Sequence, residues 1–195
     1  MKQGVRALGV AESYRGESGD SYLAGAVVRA SGTVDGLEFT TTTVGGTDAT
    51  EAVVRLYDST DREDVRLLML SGVALSWYNI VDLRAVHEAT EVPVVSVTYE
   101  GSEGLQDSIR DEFDGDARDE RLAVYDSLPE RRCVTVDGTD LYVRSIGASE
   151  DRSDDWIRGF TLTGGRPEPV RVARLAARGL LAYEEGMPEE DEERA

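Results

Sequence analysis

With 195 residues, 40% of them apolar, the chain is long enough for one domain with a three-layer core. No apolar run approaches the roughly 20 residues of a membrane span, and "MKQGVRALGV" lacks the apolar core and cleavage site of a signal peptide. Together with the single cysteine, Cys133, which excludes an internal disulfide, this gives the expectation of a cytoplasmic protein without membrane contact.

In chain order, residues 4–10 read as a strand that stops on a lone carboxylate, Glu12. "SYLAGAVVRAS" (21–31) and "GLEFTTTTV" (36–44) are β-rich runs, and the Asp35-Gly36 pair between them predicts a hairpin turn. In "TDATEAVVRLYDS" (47–59), Ala49, Val53, Leu56 and Tyr57 recur at helical spacing, with Asp48 placed to cap the start. "VRLLMLSGVAL" (65–75) is a continuous apolar run, as in a strand buried on both faces of a parallel sheet. "NIVDLRAVHEAT" (79–90) predicts a helix that Asn79 helps to start, and "VVSVTY" (94–99) a further strand. Segments 102–113 and 119–128 read as helices. Residues 132–147 read as two strands about Asp137-Gly138, and 149–160 and 167–183 as closing helices. The acid-rich stretch 184–195 is expected to be a disordered tail after one domain spanning 1–183. The expected fold is α/β, with a mixed central sheet (a β-meander plus two parallel strands) flanked by helices.

The net charge is −18, and Lys2 is the sole lysine among 21 basic residues. Such a surface self-repels at ordinary ionic strength, but in molar salt the screening length falls to about 3 Å and the repulsion fades. Acid excess with almost no lysine resembles proteins of salt-in halophilic archaea. A surface built to avoid phosphate is the competing reading, and it is the weaker one because the acids are spread along the whole chain. The charge therefore does not exclude nucleic acid as a partner.

The strand–strand–strand–helix–strand–helix–strand–helix order is that of ribonuclease-H-like three-layer folds. "VGGTDATE" (44–51), "LMLSGVALSWYNIVDL" (68–83) with "PVVSVT" (93–98), and "RPEPVRVARLAARGL" (166–180) resemble an archaeal family similar to endonuclease V. Some of its members are named endonuclease dU for acting on deoxyuridine in DNA. The resemblance implies a metal-dependent endonuclease of DNA repair, with Mg²⁺ or Mn²⁺ held by carboxylates at the ends of the central strands. In-line hydrolysis of a phosphodiester needs such ions to neutralise developing charge and to supply a deprotonated water, and they prefer hard oxygen ligands. The chain departs from the family pattern at three acidic positions, which read Ala11, Val44-Gly45-Gly46 and Ser71-Gly72. Glu12, Asp48 and Asp82 remain as candidate catalytic and metal-binding residues, all near strand ends or helix starts.

Each candidate has a plainer reading beside it. Glu12 can be a loop carboxylate, Asp48 a helix cap, and Asp82 an acid favoured by a helix dipole. Trp77 and Tyr78 can wall a pocket for an extruded base or simply pack in the core. Arg171, Arg174 and Arg178 share one helix face and can hold a DNA backbone or offset nearby acids. His87, the only histidine, has no Cys or His cluster around it and receives no role. Neither "GESG" nor "VGGTD" matches a nucleotide-binding loop, so no nucleotide cofactor is expected. The alternative to an active nuclease is a catalytically silent relative that binds nucleic acid or a protein partner through the same cleft.

Overall fold

The computed structural model describes residues 1–101 and 104–186. β1 (Arg6–Ser13), β2 (Asp20–Arg29) and β3 (Val34–Thr43) form an antiparallel meander, with β1 and β2 in register from Arg6↔Arg29 to Ser13↔Tyr22. The turn between β2 and β3 is not at Asp35-Gly36. It falls at Ser31-Gly32, where Gly32 takes φ +88°, and Gly36 already pairs with Val27 in the ladder. Asp35 has a stronger use in β3: its carboxylate accepts from the Nε atoms of Arg6 and Arg29, each at 2.6 Å.

α1 (Ala49–Ser59) returns the chain to β4 (Val65–Leu70), which lies parallel to β1. The apolar run continues past β4 but not as strand: β5 (Ala74–Leu75) and β6 (Asn79–Ile80) make a separate small hairpin. α2 therefore starts at Leu83 rather than at Asn79, and spans Leu83–Thr90. β7 (Val94–Thr98) is parallel to β4, and α3 (Gln106–Glu112) and α4 (Gly115–Ser127) follow. β8 (Arg132–Val136) and β9 (Thr139–Ile146) meet at Asp137-Gly138, whose φ angles of +49° and +79° suit the tight turn expected there. α5 (Glu150–Phe160) and α6 (Glu168–Gly186) complete the chain.

All the long strands join one seven-stranded sheet in the order β3-β2-β1-β4-β7-β9-β8. The second hairpin joins the same sheet, β9 adding antiparallel to β7. Period-2 alternation sorts the core into two layers. Leu8, Val10, Leu68, Leu70 and Val94 pack with Leu56, Leu83, Val86 and Ile109 from α1, α2 and α3. On the opposite face Leu67, Met69, Val95 and Val97 pack with Trp156, Ile157 and Phe160 of α5 and Val170 of α6. α6 also lies against β1 at Gly9, where an added Cβ would stand 2.1 Å from the Pro169 carbonyl atoms. The stretch expected as a disordered tail begins inside α6, and its residues 187–195 lie outside the described residues. No described helix is long and apolar enough to cross a membrane.

Candidate nucleic-acid site at the strand ends

The carboxyl ends of β1, β4 and β7 face the same way, the edge at which open α/β sheets take their ligands. Beyond them lies a cavity of about 520 Å³, within the range of small-molecule sites. One wall is a polar stripe made by β7 and β9, where Ser96 pairs across the ladder with Arg144 and Thr98 with Tyr142. These positions alternate with the buried Val95, Val97, Leu141 and Val143, so the sheet's own pleat turns them away from the α5 core.

Another wall is the turn of the β5–β6 hairpin. Ser76, Trp77 and Tyr78 all adopt left-handed backbone, with φ of +46°, +61° and +54°. Such angles cost roughly 1 kcal/mol for each residue bearing a Cβ. Surrounding bonds hold them: Ser76 Oγ donates to Ser21 Oγ at 2.6 Å, and the Gly45 amide donates to the Ser76 carbonyl at 2.8 Å. Trp77 and Tyr78 are half-buried and line the cavity, and Tyr78 meets Phe113 edge-on at 5.9 Å. Behind Phe113, the buried Arg121 stacks its guanidinium 4.0 Å from the ring centroid and donates to the Gly45 and Gly46 carbonyls.

The three expected metal ligands are not brought together. Asp82 caps α2, accepting from the Arg84 and Ala85 amides, and lines a different, smaller cavity with Thr50 and Arg121. Asp48 makes no side-chain bond to the α1 amides. Its carboxylate turns back to β3, accepting from Thr42 Oγ1 at 2.6 Å, from the Thr43 amide, and from Asn79 Nδ2 at 2.7 Å. Burial opposes that charge, but these donors outweigh it and hold the carboxyl below its usual range. The capping expected of Asp48 is done instead by Asn79, whose Oδ1 accepts from the Ala49 amide at 2.9 Å.

Glu12 is a residue of β1 itself rather than of a following loop. Its Oε2 is buried and has no hydrogen-bond partner among the described residues. Burial pushes the Glu12 carboxyl up, against its backbone hydrogen bond and the positive charge of Arg174. Mg²⁺ is usually held by one or two carboxylates with waters and substrate phosphate completing its sphere. Among the described residues no group of three or more His, Cys, Asp or Glu is placed to hold a metal ion. Asp48 and Asp82 are committed to separate hydrogen-bond partners, so the three do not form one cluster, and Glu12 is the carboxylate left uncommitted.

The expected arginine face is present on α6. Arg171, Arg174 and Arg178 are all exposed, and Arg171 is ion-paired to Glu168. The residues that sequence reasoning missed are Tyr14, Tyr125 and Tyr142 with Arg131 and Arg144. Arg131 stacks over Tyr142 at 4.4 Å, and Arg144 over Tyr125 at 5.1 Å. The alternation of Tyr142 and Arg144 with Leu141 and Val143 was the signal available for two of them. His87 Nδ1 lies 2.7 Å from the Val92 carbonyl at the end of α2.

A family model described as endonuclease dU matches residues 3–181. A UPF0215 protein of Pyrobaculum calidifontis is 37% identical over 187 residues, covering 90% of this chain and 97% of that one. A solved protein of unknown function from Archaeoglobus fulgidus superposes with a TM-score of 0.79 at 24% identity, over 90% of this chain and 97% of that one. Endonuclease V of Ciona intestinalis, solved with a 24mer DNA containing an inosine, superposes with a TM-score of 0.61 at 11% identity, over 91% and 86% of the two chains. These superpositions support the ribonuclease-H-like arrangement of the sheet and its flanking helices.

Proposed function

Since the chain belongs to the endonuclease dU family, we propose that it is an endonuclease V-like protein that recognises a deaminated base in DNA, deoxyuridine above all, in the service of repair. The observation that carries this reading is the aromatic-walled cavity at the carboxyl ends of β4 and β7. A base read in a pocket must first leave the stack, at a cost of a few kcal/mol that is smallest where pairing is already damaged. Stacking on an aromatic ring returns about 1–3 kcal/mol per base, and Trp77 and Tyr78 stand at the cavity wall to provide it. The Ser96 and Thr98 hydroxyls offer donors and acceptors to a base edge. Arg174 and Arg178, exposed on α6, are placed to meet backbone phosphates, and Arg171 can join them if it exchanges Glu168 for phosphate.

Strand cleavage in such a fold would draw on Mg²⁺ or Mn²⁺ to neutralise charge and to activate a water. Glu12, Asp48 and Asp82 do not gather into one cluster among the described residues, and we therefore put recognition of the base first and cleavage second. One observation favours the second reading, a metal-dependent endonuclease: the unpartnered Glu12 oxygen is a ligand without a present use. Uracil- and inosine-containing duplexes, incubated with the protein in molar KCl with and without Mn²⁺, decide between the two. The expected result is tighter binding than to undamaged DNA and no nicking. Nicking that is abolished by Glu12→Ala would establish the second reading, and equal binding to damaged and undamaged DNA would remove both.

A further inference from the structure

Arg121 is the one charged residue, among those described, that belongs to the buried interior, with 5% of it exposed. Arg6, Arg29 and Arg132 are each ion-paired, whereas among the described residues no carboxylate pairs with Arg121. Its guanidinium donates instead to neutral oxygens: the Ala117 carbonyl within α4 at 2.7 Å, and the Gly45 and Gly46 carbonyls of the loop before α1. Its Nε is buried with no hydrogen-bond partner among the described residues. Burial pushes this guanidinium below its ordinary range, and Glu120 offsets the shift in part. A buried charge without an opposite charge is costly, and a long apolar side chain would fill the same space without that cost. What the side chain holds explains the choice.

Arg121 reaches the turn at Ser76, Trp77 and Tyr78 by two routes. Through the loop, the Gly45 amide donates to the Ser76 carbonyl at 2.8 Å, and a Cβ on Gly45 would lie 3.8 Å from Trp77 Cδ1. The loop therefore lies against the indole. Through the ring, Phe113 stacks 4.0 Å from the guanidinium and meets Tyr78 edge-on. All three turn residues have left-handed backbone, a conformation that persists only where neighbours impose it. Arg121 and Phe113 stand outside the lining of the larger cavity, to which Trp77 and Tyr78 belong. We propose that Arg121 is the positioning residue of this cavity: by gripping the Gly45-Gly46 loop and the Phe113 ring together, it sets where the Trp77 and Tyr78 rings stand for a base to stack on. The proposal rests on the base-binding reading above and adds to it the residue that makes the wall rigid. A wall already fixed loses little freedom when a base arrives, which favours binding.

The full chain labelled with 5-fluorotryptophan tests it, because its two tryptophans give separate fluorine resonances: Trp77, and Trp156 in the core on the opposite face of the sheet. Arg121→Met keeps apolar length against Phe113 and removes the donors. It should shift or broaden the Trp77 resonance and leave that of Trp156 in place. It should also lower the preference for uracil-containing over undamaged duplex by roughly tenfold. Arg121→Lys, which keeps a charged donor, should restore part of both. Phe113→Leu cuts the second route and provides the same comparison should Arg121→Met not fold. A residue with a merely structural role would lower the thermal midpoint and leave the Trp77 resonance of the folded protein unchanged, and that result overturns the proposal. A loss of preference with the resonance unmoved overturns it too. If Trp77→Ala leaves the preference intact while Arg121→Met still moves the resonance, the base-binding reading falls and the hold on the turn stands. If Trp77→Ala removes the preference while Arg121→Met and Phe113→Leu change neither readout, the hold falls and the base-binding reading stands.

Discussion

The two ends of the central strands use the same residue types to opposite effect. At the amino end of β1, Arg6 and Arg29 converge on Asp35, and Arg6 reaches Asp64 as well, at 2.8 Å. Arg62 joins Asp64 too, at 3.8 Å, so the charges named form one paired network. At the carboxyl end, Arg144 rests on the Tyr125 ring and donates to neutral oxygens, while Glu12 Oε2, Tyr99 Oη and Arg121 Nε are buried with no hydrogen-bond partner among the described residues. These are the unpartnered buried side-chain atoms found among the described residues, and they come from the end of β1, the residue after β7 and the helix clasping the Gly45-Gly46 loop. One pole of the sheet satisfies its polar groups and holds the fold; the other leaves them available. Unmet polar capacity costs stability, so its concentration at one edge marks where selection has acted on something besides folding.

The largest test of that division strikes the fold. Gly9→Ala places a methyl 2.1 Å from the Pro169 backbone, and neither β1 nor the start of α6 can yield without unseating the other. We expect a loss of about 3 kcal/mol, seen as a fall in the denaturant midpoint, with any surviving DNA affinity lost in parallel. Trp77→Ala should do the reverse. Affinity for uracil-containing DNA should drop by roughly one stacked base, about 1–3 kcal/mol, while the thermal midpoint stays within a few degrees. A large fall in midpoint would show that Trp77 belongs to the core.

The two poles should also answer differently to pH. Hydrogen bonds from Arg29 and Arg6 lower the Asp35 carboxyl to about 2. Its stabilising contribution is therefore full above the unfolded carboxylate range and lost as pH falls toward 2. Asp35→Asn should flatten that acid limb in a pH series of unfolding midpoints, and an unchanged limb would deny the pole its role. Glu12 carries the opposite sign. Burial raises its folded value, so its contribution is present at low pH and lost as pH rises from the unfolded carboxylate range through the folded value. Glu12→Gln should remove this loss and gain stability near neutrality, the smallest of the four effects. A Mn²⁺-dependent rise in midpoint that Glu12→Gln abolishes would instead make Glu12 a ligand.

Much of the architecture was legible because it rests on local rules. β-rich composition marked β1 to β3, the continuous apolar run marked β4, and Asp137-Gly138 marked its hairpin. What failed were assignments that neighbours in space decide. Asp48 stands where a helix cap belongs, but Thr42, Thr43 and Asn79 offer its carboxylate better donors than the α1 amides do. Asp35-Gly36 reads as a turn, yet two arginines from other strands draw Asp35 into the ladder. The candidate site was half visible: Trp77 and Tyr78 drew attention as aromatics beside a strand end. Arg131 and Arg144 did not, because only the sheet order β7-β9-β8 carries that late hairpin to the cavity.

The left-handed run at Ser76, Trp77 and Tyr78 has an evolutionary corollary. Glycine at any of the three would relax the main chain, so drift toward greater robustness would erode the turn toward smaller residues unless the large rings repay their keeping. Tyr78 recovers part of that cost by packing on the core and on Phe113, whereas Trp77, at the cavity wall, has its return to find in what the cavity binds.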